Sequence, residues 1–163
     1  MRVGRRPLLG AAALAAVAAA VAAAVVVAVS RDDAGAPVVV VADERGREVA
    51  SLPLPPSGQF ALQYRHSVYR AEVTETFTTQ DAGFRLVAVA SPSEAVLDYY
   101  ELEGRRVVDG SWRRLEPAAA RRLDALPLVA TELGRRTLVV GPRRLPLFEP
   151  GQGPARLVLT VRR

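Results

Sequence analysis

The chain contains no cysteine and no lysine, and only one histidine, one methionine and one tryptophan. Without cysteine there is no disulfide to brace a small exported fold and no thiol to carry a bacterial lipid anchor. A single histidine, His66, with no cysteine cannot supply the usual zinc ligand sets. No acidic loop follows the EF-hand pattern. No G-x-S-x-G elbow, phosphate loop or dinucleotide fingerprint is present. These absences point away from an enzyme and imply neither a metal nor a cofactor. All 22 basic residues are arginine, in a background rich in alanine and valine. That choice follows GC-rich codon usage and carries little functional weight.

What is present begins with an apolar run. Leu8 to Val29 holds 22 residues without a charge. At about 1.5 Å per residue this gives a helix near ~33 Å, enough to cross a bilayer core. Arg2, Arg5 and Arg6 precede it, and positive charge before a span predicts a cytoplasmic N-terminus. The alternative is a cleaved signal peptide, with the small residues Ala28 and Ser30 near a cut. The run is longer than the roughly 7–15 residues of an ordinary signal core. Either way the following domain is exported. The expected organisation is a basic leader over 1–7, a transmembrane helix over 8–29, a linker over 30–36 and one extracytoplasmic domain over 37–163. The protein is then a single-pass protein of the cell membrane.

Setting aside Arg2, Arg5 and Arg6 leaves 19 arginines against 17 acids, a net of +2. The domain is therefore not strongly basic. Arg-Arg pairs recur at 105–106, 113–114, 121–122, 135–136 and 143–144, near turn residues and without interleaved aromatics. They read as solvated strand ends; lipid headgroups are a better partner for them than nucleic acid.

Many short β-rich segments separated by Gly and Pro predict a mainly β domain, an antiparallel sandwich or partly open barrel with one short helix. The helix is expected over Pro117 to Leu126, PAAARRLDAL, on proline at its first turn and on Ala, Arg and Leu propensity. Ser91 to Gly110 has no clean period and carries Glu94, Asp98, Glu101 and Glu103, which reads as a solvated connection.

The richest stretch is Phe60 to Phe77, FALQYRHSVYRAEVTETF. Phe60, Leu62, Tyr64 and His66 alternate onto one strand face, and Val73, Glu75 and Phe77 onto one face of a second. A short link predicts an antiparallel hairpin. The expected register sets Tyr64 opposite Phe77 and His66 opposite Glu75, giving an imidazole–carboxylate pair on an apolar face. That pair is either a structural pin or a ligand-binding spot. Ser67 beside His66 would face the other way on a strand, as would Glu72 relative to Glu75, so neither makes a catalytic pair with its neighbour.

The run YRHSVYRAEVTETF resembles the signature of the domain of unknown function 1850 family, through Tyr64, His66, Ser67 and Val68, with Glu75 ahead of Phe77. Gly83-Phe84-Arg85-Leu86 and Leu138-Val139-Val140-Gly141 fit the same pattern. Where the family usually has a glycine-rich turn after the third strand, this chain reads SPSEAVLDYY. The resemblance implies a small membrane-anchored extracytoplasmic protein, of a kind often encoded beside TRAP-type transporters of the TAXI class. It implies a non-enzymatic accessory role, with a TRAP permease or its solute-binding protein as partner. The alternative is a small-ligand-binding β domain using the His66/Glu75 face. Tyr64, His66, Ser67 and Glu75 are the candidate ligand- or partner-binding residues.

Overall fold

The computed structural model describes residues 35–81 and 83–163. The apolar run over 8–29 lies outside the described residues. Among the described residues, no helix is long and apolar enough to cross a membrane.

The domain is mainly β, with antiparallel sheets and one short helix. Chain order is β1 (Val38–Asp43), β2 (Glu48–Pro53), β3 (Gln59–Arg65), β4 (Glu72–Gln80), β5 (Gly83–Ser91), α1 (Glu94–Tyr99), β6 (Gly104–Asp109), β7 (Trp112–Pro117), β8 (Arg122–Leu123), β9 (Ala125–Ala130), β10 (Thr137–Val140), β11 (Arg143–Pro146) and β12 (Ala155–Arg162). One sheet has the order β2-β1-β12-β9. The other runs β11-β10-β3-β4-β5-β7-β6, with β8 attached to β5. Pro53, Pro127 and Pro146 lie on β2, β9 and β11, each at a sheet edge, where a missing N–H costs no ladder bond.

Both sheets feed one apolar core. Val39, Val41, Leu52, Leu128, Leu157 and Leu159 from the first sheet meet Phe60, Leu62, Phe77, Phe84, Leu138 and Val140 from the second. Phe60 stacks on Phe77 and Phe84 meets both edge-on, with ring centroids 5.2–5.6 Å apart. A second, smaller cluster, formed by Val73, Val89 and Leu115, is closed by Val96 and Leu97 of α1. The inward face of β3-β4-β5 is thus covered by the first sheet in one part and by α1 in the other.

The helix expected over Pro117 to Leu126 is not formed. Pro117 ends β7, Arg122–Leu123 lie against Phe84 and Arg85 of β5, and β9 begins at Ala125. Leu126, Leu128 and Ala130 alternate towards the core, and Pro127 disfavours a helical residue before it. Burial of these side chains outweighs the modest helix preference of Ala and Arg. The single helix lies in the segment read as a solvated connection. There Arg106 pairs with Glu94 and with Asp98 (2.7 Å), and Arg113 Nε lies 2.9 Å from Glu94, which straps α1 to β6 and β7. Gly104 fits this hairpin because a Cβ there would sit 2.1 Å from the Glu116 carbonyl oxygen.

The β3–β4 pair gives the domain two ends. Gln59 faces Thr78 at one, and Arg65 faces Glu72 at the other. The chain enters at the first. Leu54 N–H bonds to the Pro37 carbonyl (2.8 Å), Gly58 N–H to that of Pro55 (2.8 Å), and Thr79 N–H to that of Gly58 (3.0 Å). The opposite end holds the turn over 66–71 and the loop over 131–136, joined where Arg65 N–H meets the Gly134 carbonyl (2.7 Å).

Candidate functional site

The register of β3 on β4 differs from the sequence expectation by four residues on β4. Phe60 faces Phe77, Leu62 faces Glu75, and Tyr64 faces Val73. Face assignments survive this shift because the side-chain period is two. The cross-strand partners do not: Tyr64 does not oppose Phe77, and His66 does not oppose Glu75. The stacking of Phe60 on Phe77 favours the observed pairing.

His66 lies beyond the end of β3, in the turn. Its N–H bonds to the Ala71 carbonyl (2.8 Å), and its own carbonyl accepts from Arg70 N–H (2.9 Å). Its Nδ1 accepts from the N–H groups of Val68 (3.3 Å) and Tyr69 (3.4 Å), so in this geometry that nitrogen carries no proton. The residue is 7% exposed, and its ring packs against Tyr69 and, edge-on, against Tyr99, with centroids 5.2 and 4.8 Å away. Histidine here is the internal cap of a six-residue turn. Ser67 is exposed on the same turn.

Glu75 lies on the inward face, between Leu62 of the large core and Val89 of the small one. A carboxylate in that seam must be hydrogen-bonded. The Tyr64 hydroxyl donates to Oε1 at 3.0 Å and the Tyr100 hydroxyl at 2.5 Å, and the two phenol oxygens lie 2.5 Å apart. Two phenol protons serve three oxygen–oxygen contacts, so two are hydrogen bonds at any moment. Burial, and then the charge of Glu75, hold both phenols well above the ordinary tyrosine range. They remain donors and do not act as bases. Arg136 stacks its guanidinium 4.4 Å from the Tyr64 ring centroid.

Of the four residues singled out in the sequence, Tyr64 and Glu75 come together, and His66 and Ser67 stand apart from them on the turn. Tyr100 and Arg136 belong to the Glu75 group and were not singled out. Consecutive helical residues diverge by about 100°, so Tyr99 reaches His66 and Tyr100 reaches Glu75. That divergence is invisible until the segment is known to be a helix. Among the described residues, no group of three or more His, Asp and Glu is placed to hold a metal ion.

Tyr64 also borders a cleft of about 310 Å3, lined with it by Gln63, Arg65, Arg70, Glu72, Arg135, Thr137 and Arg144. A larger hollow of about 620 Å3, between Asp43–Ala50 and Leu145–Leu157, contains none of the four residues.

No curated protein and no solved structure matches the chain. A family model described as domain of unknown function (DUF1850) matches residues 60–147, more than half of the 163-residue chain. The matched stretch runs from the second residue of β3 through β11 and so includes the larger sheet except Gln59, together with α1 and the Glu75 group. The chain belongs to the domain of unknown function 1850 (DUF1850) family.

Proposed function

We propose that this is a non-enzymatic extracytoplasmic accessory domain, tethered to the cell membrane by its N-terminal apolar segment and acting with a TRAP-type transporter of the TAXI class. Its partner is the permease or the solute-binding protein. The observation that carries the reading is a division of labour within the domain. Glu75 Oε1, the Tyr64 and Tyr100 hydroxyls and His66 Nδ1 are engaged with one another or with the turn. By contrast, Val68 (67% exposed), Tyr69 (43%), Tyr99 (62%) and Leu133 (54%) are apolar or aromatic and open. All four belong to the end opposite the chain entry or to α1 beside it. Exposed aromatic and aliphatic side chains grouped in this way suit a protein partner better than solvent. A tether at the other end leaves this surface free to reach one. The His66/Glu75 ligand face expected from sequence has no counterpart, since the two residues do not meet.

A photo-crosslinking amino acid at Val68 or Tyr99 of the full-length chain, in membranes of the native host, tests the proposal. Adducts to a transporter component are expected from both positions and not from Arg121, which flanks β8 near the entry end. Adducts from Arg121 alone, or from none of the three, would overturn it.

A further inference from the structure

The cleft beside Tyr64 gathers four arginines, and none of them forms an ion pair among the described residues. Arg65, Arg70, Arg135 and Arg144 line it together with one acid, Glu72. The ion pairs of the described residues use Arg47, Arg105, Arg106, Arg113, Arg114, Arg122 and Arg162 instead. Arg136 adds a fifth positive charge at the rim, committed to the Tyr64 ring. Four like charges around one cavity repel each other, and a bound anion would relieve that repulsion.

Two of the guanidinium groups, and the backbone of the other two arginines, are also held in place. Arg65 Nε donates to the Arg70 carbonyl at 2.9 Å, and Arg144 Nη2 donates to Gln63 Oε1. Thr137 Oγ1 donates to the Arg135 carbonyl at 3.2 Å. Arg70 and Arg135 both have left-handed backbone, with φ of 54° and 48°, an uncommon state for a residue with a side chain. The two strained positions come from different loops, over 66–71 and 131–136, and line the same cavity. Strain of this kind collects at ligand clamps. Each guanidinium keeps N–H donors that these bonds do not use. A planar guanidinium matches carboxylate and phosphate oxygens in two-point fashion. The volume, about 310 Å3, is that of a small-molecule site.

We infer that this cleft binds a small oxyanion, a ligand carrying carboxylate or phosphate groups, gripped by Arg65, Arg70, Arg135 and Arg144. Glu72 leaves the lining with a net charge of about three positive and limits how much negative charge a ligand can carry. The inference does not depend on the transporter association. The same chemistry is offered by a free organic acid, by inorganic phosphate and by the phosphate of an anionic lipid.

The test is calorimetric titration of the full-length chain in detergent with citrate and, separately, with inorganic phosphate, each at constant ionic strength set with sodium chloride. Saturable binding is expected, weakened about tenfold in Arg135→Gln and in Arg144→Gln. It should be unchanged in Arg121→Gln and tighter in Glu72→Gln. Titration with the short-chain lipid dihexanoyl-phosphatidylglycerol separates the sources. A lipid ligand gives arginine-dependent binding of that lipid and no response to the free anions. Protection of Arg135 and Arg144 from phenylglyoxal by the bound anion, read by mass spectrometry, needs no variant and holds if a variant fails to fold. Absence of saturable binding by all three probes, or binding unaffected by both glutamine variants, would overturn the inference.

Discussion

The Tyr100 hydroxyl donates to Glu75 Oε1 at 2.5 Å and so joins the end of α1 to the middle of β4. With Tyr64 it converts an acidic residue on an apolar face into a satisfied three-residue group at the seam between two cores. The helix is otherwise only six residues long. Too short to be stable alone, it depends on such contacts.

Glu75→Ala should therefore destabilise the domain by about 1–3 kcal/mol, because two partly buried phenols lose their shared acceptor. Glu75→Gln keeps an acceptor oxygen and should cost less. Urea unfolding of both variants checks this, and an alanine variant as stable as the wild type would show the group to be idle.

The same group sets a response to alkaline pH. Both phenols have folded pKa values raised above the unfolded value of about 10, so their contribution is fully present below that pH. As pH rises past it, the unfolded chain loses phenol protons that the folded chain keeps, and stability falls. The slope should approach ~1.4 kcal/mol per pH unit for each phenol. Tyr64→Phe or Tyr100→Phe should remove about half of the total. Unfolding free energies between pH 8 and pH 11.5 give the slopes, and equal slopes in all three proteins would contradict the assignment.

His66 predicts a separate effect. His66→Ala removes the acceptor of two turn N–H groups and the ring between Tyr69 and Tyr99. The expected cost is about 1–3 kcal/mol. His66→Asn supplies an oxygen close to the position of Nδ1 and should recover part of it. Amide exchange of Val68 and Tyr69 should quicken in the alanine variant, and that of β4 should not.

Much of this architecture is legible in the sequence because period-two burial is local. Strands β3 and β4 are announced by the alternation of Phe60, Leu62 and Tyr64 and of Val73, Glu75 and Phe77. The register of β3 on β4 is not, since a shift of four residues keeps every face the same and is decided by how Phe60, Phe77 and Phe84 pack. The helix at Glu94–Tyr99 is hidden because six residues show no period, and its arginine straps come from β6 and β7. The cleft is harder still. Arg65, Arg70, Arg135 and Arg144 come from three separate stretches, and only the fold brings them to one cavity.

The claim that the end opposite the chain entry is the working surface can be tested by changing only that surface. Val68→Asp with Leu133→Asp in the full-length chain alters two exposed side chains, so stability should shift by about 1 kcal/mol at most. Affinity purification from the native host, with the melting temperature measured alongside, is the decisive measurement. The account predicts that the wild type retains a transporter component and that the double variant loses it while still folded. A folded double variant that retains the component as well as the wild type does would contradict the account.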